Sequence, residues 1–380
     1  MLRALYPVIT ISNLSNADDA VVMEKGLSVI SGKVDIHHAG TAMRFLTAFF
    51  ATTEGRDVTL TGSKRMTERP IRILVEALQK LGADIQYEGV AGFPPLRIRG
   101  KRIKASQVSL PANISSQYIS ALLLVAPTLE NGLELELIGE ITSVPYIRMT
   151  LGLLGQLGIR SDFEGQTIKV WPASQLEPAT LIVESDWSSA SYFYSILALS
   201  GDGSEIKLSS YRRNSLQGDS VLSTIYRDFG VETHFQDNHM LLRKVASTIP
   251  AHLEYHLADA PDIAQTLAVS CFGLGIGCHL TGLHTLKIKE TDRLMAMKTE
   301  LSKFGAHIRV TDRSLTLEPG TTIEGGVQVD TYHDHRMAMA FAPLALKTNL
   351  YINDAGVVSK SYPDFWTDLK SLGFTIHFED

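Results

Sequence analysis

Charged side chains gather where apolar, helix-patterned runs begin. The stretch KETDRL (289–294) sets Lys289, Glu290, Asp292 and Arg293 ahead of the run MAMKTELSKFG. DAPDIAQT brings Asp262 to another such start, YHDHRMAM brings His335 and Arg336, and VSKSYPDF brings Lys360. RMTERPIRIL puts Arg69 beside Pro70, a residue favoured at the first helical position. Three further starts are led by uncharged residues: Gly40 and Thr41 in HAGTAMRF, Ser115, Ser116 and Gln117 in NISSQYIS, and Ser143 with Tyr146 in TSVPYIRM. An arginine in the first turn opposes the positive end of the helix dipole, at a cost of about 0.3–1 kcal/mol unless an anion is close. Three helices accept that arrangement. A bound phosphate or carboxylate reverses the sign, because free N–H groups, the dipole and a guanidinium fork then address the same oxygens.

A site for phosphate alone has no use for carboxylates, yet Asp262 and Glu290 stand among the cations. Held there they stay ionised near neutral pH and can exchange a proton with a bound hydroxyl or carbon. The pattern points to acid–base chemistry on an anionic substrate. Each residue also has an ordinary structural reading: Asp292 or Thr291 as a helix cap, Asp262 as a cap after Pro261, Glu290 as a first-turn acid, Arg69 as a partner of Glu68, and Ser115 or Ser116 as acceptors for free amides. Capping alone does not require Arg or Lys at so many starts.

The elements that must position these residues repeat. A leucine-rich helical run, a large apolar residue, a glycine and an alternating strand recur at Gly82, Gly158, Gly230, Gly305 and Gly373, roughly 70 residues apart. Each glycine fits a helix C-terminal position that needs φ > 0. A second helix type is apolar nearly all round, as in RFLTAFFA (44–51), YISALLLVAP (118–127), YFYSILAL (192–199), IAQTLAVSCFGLG (263–275) and RMAMAFAPLAL (336–346), and must be enclosed by protein. Strands such as LELELIGEI (133–141) alternate, so each sheet shows one face to water. The expectation is an α+β fold of two domains, residues 1–183 and 184–380, each of three repeat units with buried helices and outer sheets, the first unit being incomplete. No G-x-G-x-x-G or Walker loop suggests a nucleotide-binding alternative.

With 35 basic against 41 acidic side chains and a formal charge of −6, the chain has no field that would hold a nucleic acid or an anionic membrane. No apolar run is long enough to span a bilayer, and the first residues lack a secretory pattern, so a cytoplasmic protein is expected. Cys271 and Cys278 are the only cysteines and form no CxxC; they read as reduced packing residues, with no metal site implied.

In their order along the whole chain, the blocks AGTAMR, RMTERPI, SSQYISALLL, VPYI, SDWSSASYF, QGD, PDIAQT, KETDRL, DHRMAM and SYPDFW resemble the 3-phosphoshikimate 1-carboxyvinyltransferase (EPSP synthase) family. The resemblance implies two domains of βαβαββ units closing on the substrates. It also implies transfer of the enolpyruvyl group of phosphoenolpyruvate to the 5-hydroxyl of shikimate 3-phosphate, with release of phosphate, by a monomer needing no metal or organic cofactor. By position in the motifs, Ser115, Ser116, Gln117, Ser143, Asp262 and Lys289 would hold shikimate 3-phosphate, with Tyr146 on its ring. Gly40, Arg69, Gln117, Arg293, Arg336 and Lys360 would hold phosphoenolpyruvate. Asp262 would accept the hydroxyl proton, and Glu290 is the candidate to protonate the methylene carbon. Gly40 is where sensitive members leave room for glyphosate.

Some positions depart from the family pattern: His38 stands where Asn is common, Thr285 where an Asn often meets the shikimate phosphate, and Phe45 where many members have Pro. The related UDP-N-acetylglucosamine enolpyruvyl transferase has a reactive Cys loop without counterpart here; a catalytically silent binder of anionic metabolites is the reading from a different class. Met1 aligns just after a Pro-Gly-Ser-Lys-Ser segment with which the family normally begins, and which supplies a lysine for phosphoenolpyruvate. The expectation is that the 380-residue form turns over very slowly. A phosphate-release assay with both substrates checks this; release at ordinary enzyme rates contradicts it.

Overall fold

The structure is a computed structural model, and it describes residues 1–112, 115–139, 141, 144–320 and 322–378. The chain divides into two compact units, Met1–Val183 and Glu184–Asp380. Within the first, Ser31–Asp35, Gly40–Thr52, Asp57–Thr61, Arg72–Lys80, Asp84–Tyr87 and Leu96–Arg99 run strand, helix, parallel strand, helix and antiparallel hairpin. A parallel return needs a long crossover, and the helix provides it. The same βαβαββ order recurs from Gln107 to Val170, and in the second unit from His252 to Leu317.

The remaining copies are altered. Ala179–Ile182 opens the fourth copy in sequence but pairs in parallel with Ile9–Ser12, inside the first unit. Its later strands form a separate three-stranded antiparallel sheet, Glu205–Ser209, His239–Lys244 and Val231–Gln236. The last copy carries a two-stranded parallel sheet, Val327–Val329 with Leu350–Ile352, and no closing hairpin among the described residues.

The apolar helices are interior. Every residue of Trp187–Leu199 is buried, as are all but the last of Ala264–Leu274. Burying each large apolar side chain is worth about 1.5–3 kcal/mol, and these helices supply much of that in both units. Several of their small hydroxyls find partners on neighbouring helices: Ser191 with Thr266 at 2.9 Å, Ser270 with Ser195 and with Tyr226 at 2.8 Å each, and Ser120 with Thr150 at 2.7 Å. Small polar residues there let helices approach without leaving a buried group unsatisfied. Outer strands alternate as expected, Leu133–Ile138 placing Leu133, Leu135 and Leu137 inward. No helix among the described residues is long and apolar enough to cross a membrane. Both cysteines are free and buried.

The five repeat glycines all adopt positive φ. At Gly230, φ is 72°, and a β-carbon would also lie 2.8 Å from the Val245 carbonyl and 2.4 Å from Ser247 Oγ. At Gly305, φ is 94° but the nearest atom would be Glu324 Cγ at 3.7 Å, an ordinary contact. Gly305→Ala therefore carries the backbone penalty alone, about 1–2 kcal/mol. Gly230→Ala adds an overpacking cost of about 1–3 kcal/mol. Thermal unfolding of the two variants should show Gly230→Ala the more damaging; equal losses would contradict the packing argument.

Candidate active site

In the second unit the charged residues of four separate segments converge on Arg293. Its helix, Arg293–Lys303, is capped by Asp292, whose carboxylate accepts from Met295 N at 3.1 Å. That leaves the Arg293 side chain, 2% exposed, to point into protein. Its Nε donates to Asp334 Oδ2 at 2.6 Å, its Nη1 to Asp262 Oδ1 at 2.9 Å and its Nη2 to Glu290 Oε2 at 2.9 Å. Asp262 lies in the single turn Pro261–Ile263 that leads into Ala264–Leu274, and it also meets Arg336 Nη2 at 3.3 Å and Lys289 Nζ at 3.4 Å. Glu290 is bonded to Lys360. Asp334, fully buried, caps His335–Phe341 by accepting from Arg336 N at 2.9 Å.

Three carboxylates thus face four cations, leaving one positive charge in excess. Burying ion pairs costs desolvation that their attraction barely repays, so such a network adds little to net stability, while removing one member strands its partners at a cost of roughly 3–5 kcal/mol. A cluster of this kind is suited to receiving an anion. Burial alone would raise the Asp262 carboxyl, but Lys289, Arg336 and Arg293 outweigh it and hold the group well below the usual carboxylate range. Glu290 is likewise opposed by burial and held low by Arg293 and Lys360. Both are proton acceptors in the ligand-free protein.

The first unit brings together a smaller polar group. A β-carbon on Gly40 would come within 2.7 Å of Arg69 Nη1 and 3.1 Å of Arg44 Nη1, so the start of helix Gly40–Thr52 is closely covered by two guanidinium groups. Gln117 Nε2 donates to Thr41 Oγ1 at 2.9 Å, joining the start of Ser116–Val125 to that of Gly40–Thr52. Ser115 caps its own helix, its hydroxyl accepting from Gln117 N at 3.4 Å, and Ser116 follows in the first turn. Tyr146 stands half-buried in the first turn of Val144–Gln156. Ser143 lies outside the described residues.

Several positions differ from the sequence reading. Pro70 does not begin a helix: Arg69 lies between the short helix Lys64–Thr67 and the helix Arg72–Lys80, whose N-cap is Ile71, so it approaches Gly40 from a connecting turn. Lys360 closes the short helical stretch Ala355–Lys360 instead of opening Phe365–Ser371. Glu290 precedes the Asp292 cap and is not a first-turn acid, and Asp262 bonds to cations instead of capping. Two participants carry no role in the motif reading. Arg44, concealed in an apolar run, bends back to the Gly40 carbonyl at 2.9 Å, one helical turn away. Asp334 holds the Arg293 side chain and the Arg336 backbone N–H, and its place directly before His335 and Arg336, at a helix start, was the available signal.

Two buried groups beside the network titrate in opposite senses. Burial, then the charge on Asp262, pushes Asp219 from 3.8 up to about 7. Burial pushes the His335 ring from 6.5 down to about 3. Folded Asp219 keeps a proton that the unfolded chain releases, so its contribution is complete below pH 3.8 and lost as pH rises towards about 7. Folded His335 refuses a proton that the unfolded chain takes up, so its contribution is complete above pH 6.5 and lost as pH falls towards about 3. In the shared window the slopes oppose. Stability against pH should therefore rise in Asp219→Asn and fall in His335→Gln, each by about 1.4 kcal/mol per pH unit relative to the parent. Denaturant unfolding at pH 5 to 6.5 reads both, and slopes of the same sign would contradict the assignment.

The chain is similar to known proteins along nearly its whole length. The family model of EPSP synthase (3-phosphoshikimate 1-carboxyvinyltransferase) matches residues 1–369. A 3-phosphoshikimate 1-carboxyvinyltransferase of Bacteroides fragilis is 46% identical over 369 residues, covering 96% of this chain and 89% of the relative. One from Aliivibrio fischeri is 36% identical over 338 residues, 88% of this chain and 78% of the relative. Among solved structures, the EPSP synthase of Acinetobacter baumannii superposes with a TM-score of 0.78 at 22% identity over 98% of this chain and 92% of its own, a likeness of fold. The enolpyruvyl transferase NikO of Streptomyces tendae shares the fold more loosely, with a TM-score of 0.60 at 14% identity over 82% of this chain and 72% of its own. With its sequence matched nearly end to end and its charged helix starts in the order of the motifs, the chain belongs to the EPSP synthase family.

Proposed function

We propose that the Arg293-centred network is the phosphoenolpyruvate and acid–base half of a 3-phosphoshikimate 1-carboxyvinyltransferase site. The protein transfers the enolpyruvyl group of phosphoenolpyruvate to the 5-hydroxyl of shikimate 3-phosphate, releasing phosphate. The observation that carries the reading is the pairing of three carboxylates, Asp262, Glu290 and Asp334, with four cations, one positive charge in excess. Two phosphorylated substrates repel each other strongly in a dry site unless cations intervene.

In this reading Arg293, Arg336 and Lys360 of the second unit take the carboxylate and phosphate of phosphoenolpyruvate, and Gly40, Arg69 and Gln117 of the first unit contribute to the same ligand. Ser115, Ser116, Gln117, Ser143 and Tyr146 of the first unit, and Asp262 and Lys289 of the second, hold shikimate 3-phosphate. Asp262 takes the proton of the 5-hydroxyl as its oxygen bonds to C2 of the enol, while C3 gains a proton. Phosphate then leaves C2, and C3 gives up a proton to restore the double bond. Glu290 handles the C3 proton. An arriving anion draws Arg293, Arg336 and Lys360 towards itself, so the field that keeps Glu290 ionised weakens and its proton affinity rises. The ligand thereby switches on the acid that it needs. The protein works as a monomer in the cytoplasm, with no nucleic-acid or membrane partner.

Asp262→Asn tests this. At stoichiometric protein concentration over hours, the parent should form 5-enolpyruvylshikimate 3-phosphate and phosphate in equal amounts, whatever its rate, by 31P NMR. The variant should form neither at less than about a hundredfold lower rate, the usual scale of general-base loss, yet still bind shikimate 3-phosphate by calorimetry. Turnover by the variant at the parental rate, or binding without any product from the parent, would contradict the proposal.

A further inference from the structure

Between the strand Val327–Val329 and the helix His335–Phe341 the chain makes a sharp turn in which Tyr332 and His333 both have left-handed φ, 54° and 56°. Neither is a glycine, so the surroundings must hold this conformation in place. The holder is Glu300, two turns along the Arg293–Lys303 helix from Arg293 and fully buried. Its Oε1 accepts from Tyr332 Oη at 2.6 Å and its Oε2 from Asp330 N at 3.0 Å, with Lys303 Nζ at 2.7 Å balancing the charge. On the exposed side His333 Nδ1 lies 3.1 Å from Asp354 Oδ2. Asp334 ends the turn, its N donating to the Thr331 carbonyl at 2.8 Å and its carboxylate bonded to Arg293 Nε and Arg336 N.

We propose that Glu300 is a positioning residue for phosphoenolpyruvate: by clamping the strained turn through Tyr332 Oη and Asp330 N, it sets Asp334 and, through Asp334, the directions of Arg293 and Arg336. The helix bearing Glu300 also begins with Arg293, so one rigid element fixes the guanidinium from its own backbone and, by way of the turn, from its carboxylate partner. Burial, reinforced by the bond to Glu300, raises the Tyr332 hydroxyl to about 12, so it remains a donor across the physiological range. The inference rests on the assignment of Arg293 and Arg336 to phosphoenolpyruvate, and the test separates the two.

Tyr332→Phe removes one hydrogen bond and keeps the ring. Phosphoenolpyruvate, titrated alone so that no acceptor permits transfer, is followed by 31P NMR, and shikimate 3-phosphate by calorimetry. Tyr332→Phe should weaken phosphoenolpyruvate about tenfold, the scale of one lost bond to a charged group, and leave shikimate 3-phosphate within about twofold. Glu300→Gln should show the same split; if it does not fold, Tyr332→Phe decides alone. Arg336→Ala is the control. If Arg336→Ala loses phosphoenolpyruvate and Tyr332→Phe binds it like the parent, the positioning inference falls and the site assignment stands. Equal weakening of both ligands in Tyr332→Phe would reduce Glu300 to a general structural role and also overturn the inference. An Arg336→Ala protein that binds phosphoenolpyruvate like the parent overturns the site assignment itself.

Discussion

A guanidinium group sealed from water beside three carboxylates is the constraint on which the second unit is organised. Arg293 cannot lose its proton, so its neighbours must bring negative charge to it, and Asp262, Glu290 and Asp334 do so from three separate segments. Those carboxylates then recruit Lys289, Arg336 and Lys360. The result is a lattice in which Arg293 and each of the three carboxylates have more than one partner. Such a lattice contributes little stability for its desolvation cost, and its value lies in holding several cations in fixed directions before a ligand arrives. Preorganisation of this kind is where an enzyme handling doubly charged substrates gains most.

The fold explains how that cost is met. Ala264–Leu274 and His335–Phe341, entered through Asp262 and Asp334, are buried along nearly their whole length, so each is anchored by burial and presents polar groups at its start. The glycine turn at Gly82, Gly158, Gly230 and Gly305 returns the chain from a helix to an outer strand and keeps the sheet between helices and solvent. In the first unit the same construction yields a gentler site: hydroxyls, an amide and two arginines around Gly40, where even a methyl group would press on a guanidinium.

Much of this was legible in the sequence because it rests on residue type and local period. The all-apolar runs had to be buried, the five glycines had to sit at positive φ, and Arg or Lys at helix starts had to be explained by more than capping. What escaped was set by distance along the chain. The pairing of Ile9–Ser12 with Ala179–Ile182 joins segments about 170 residues apart, and no local pattern encodes that register. Arg44 was hidden because a buried arginine inside an apolar run reads as part of the run until its carbonyl and ring partners are seen. Proline and apolar spacing suggest helix starts for Arg69 and Lys360, whereas both lie before those helices, Arg69 in a connecting turn and Lys360 at the end of Ala355–Lys360. Asp334 stands in sequence beside two more conspicuous residues, His335 and Arg336, yet its carboxylate ties the starts of two helices together.

The central claim is that the cations around Asp262 and Glu290 form a receptor whose field is shared between these carboxylates and an incoming anion. Carbon-13 NMR of the carboxyl groups, titrated with acid in the absence and presence of saturating inorganic phosphate, reads that sharing directly. The account predicts that both carboxyls resist protonation well below the usual range when the protein is ligand-free, and that phosphate raises Glu290 measurably towards ordinary values. Carboxyls that titrate normally without ligand, or a Glu290 that phosphate does not move, would contradict it.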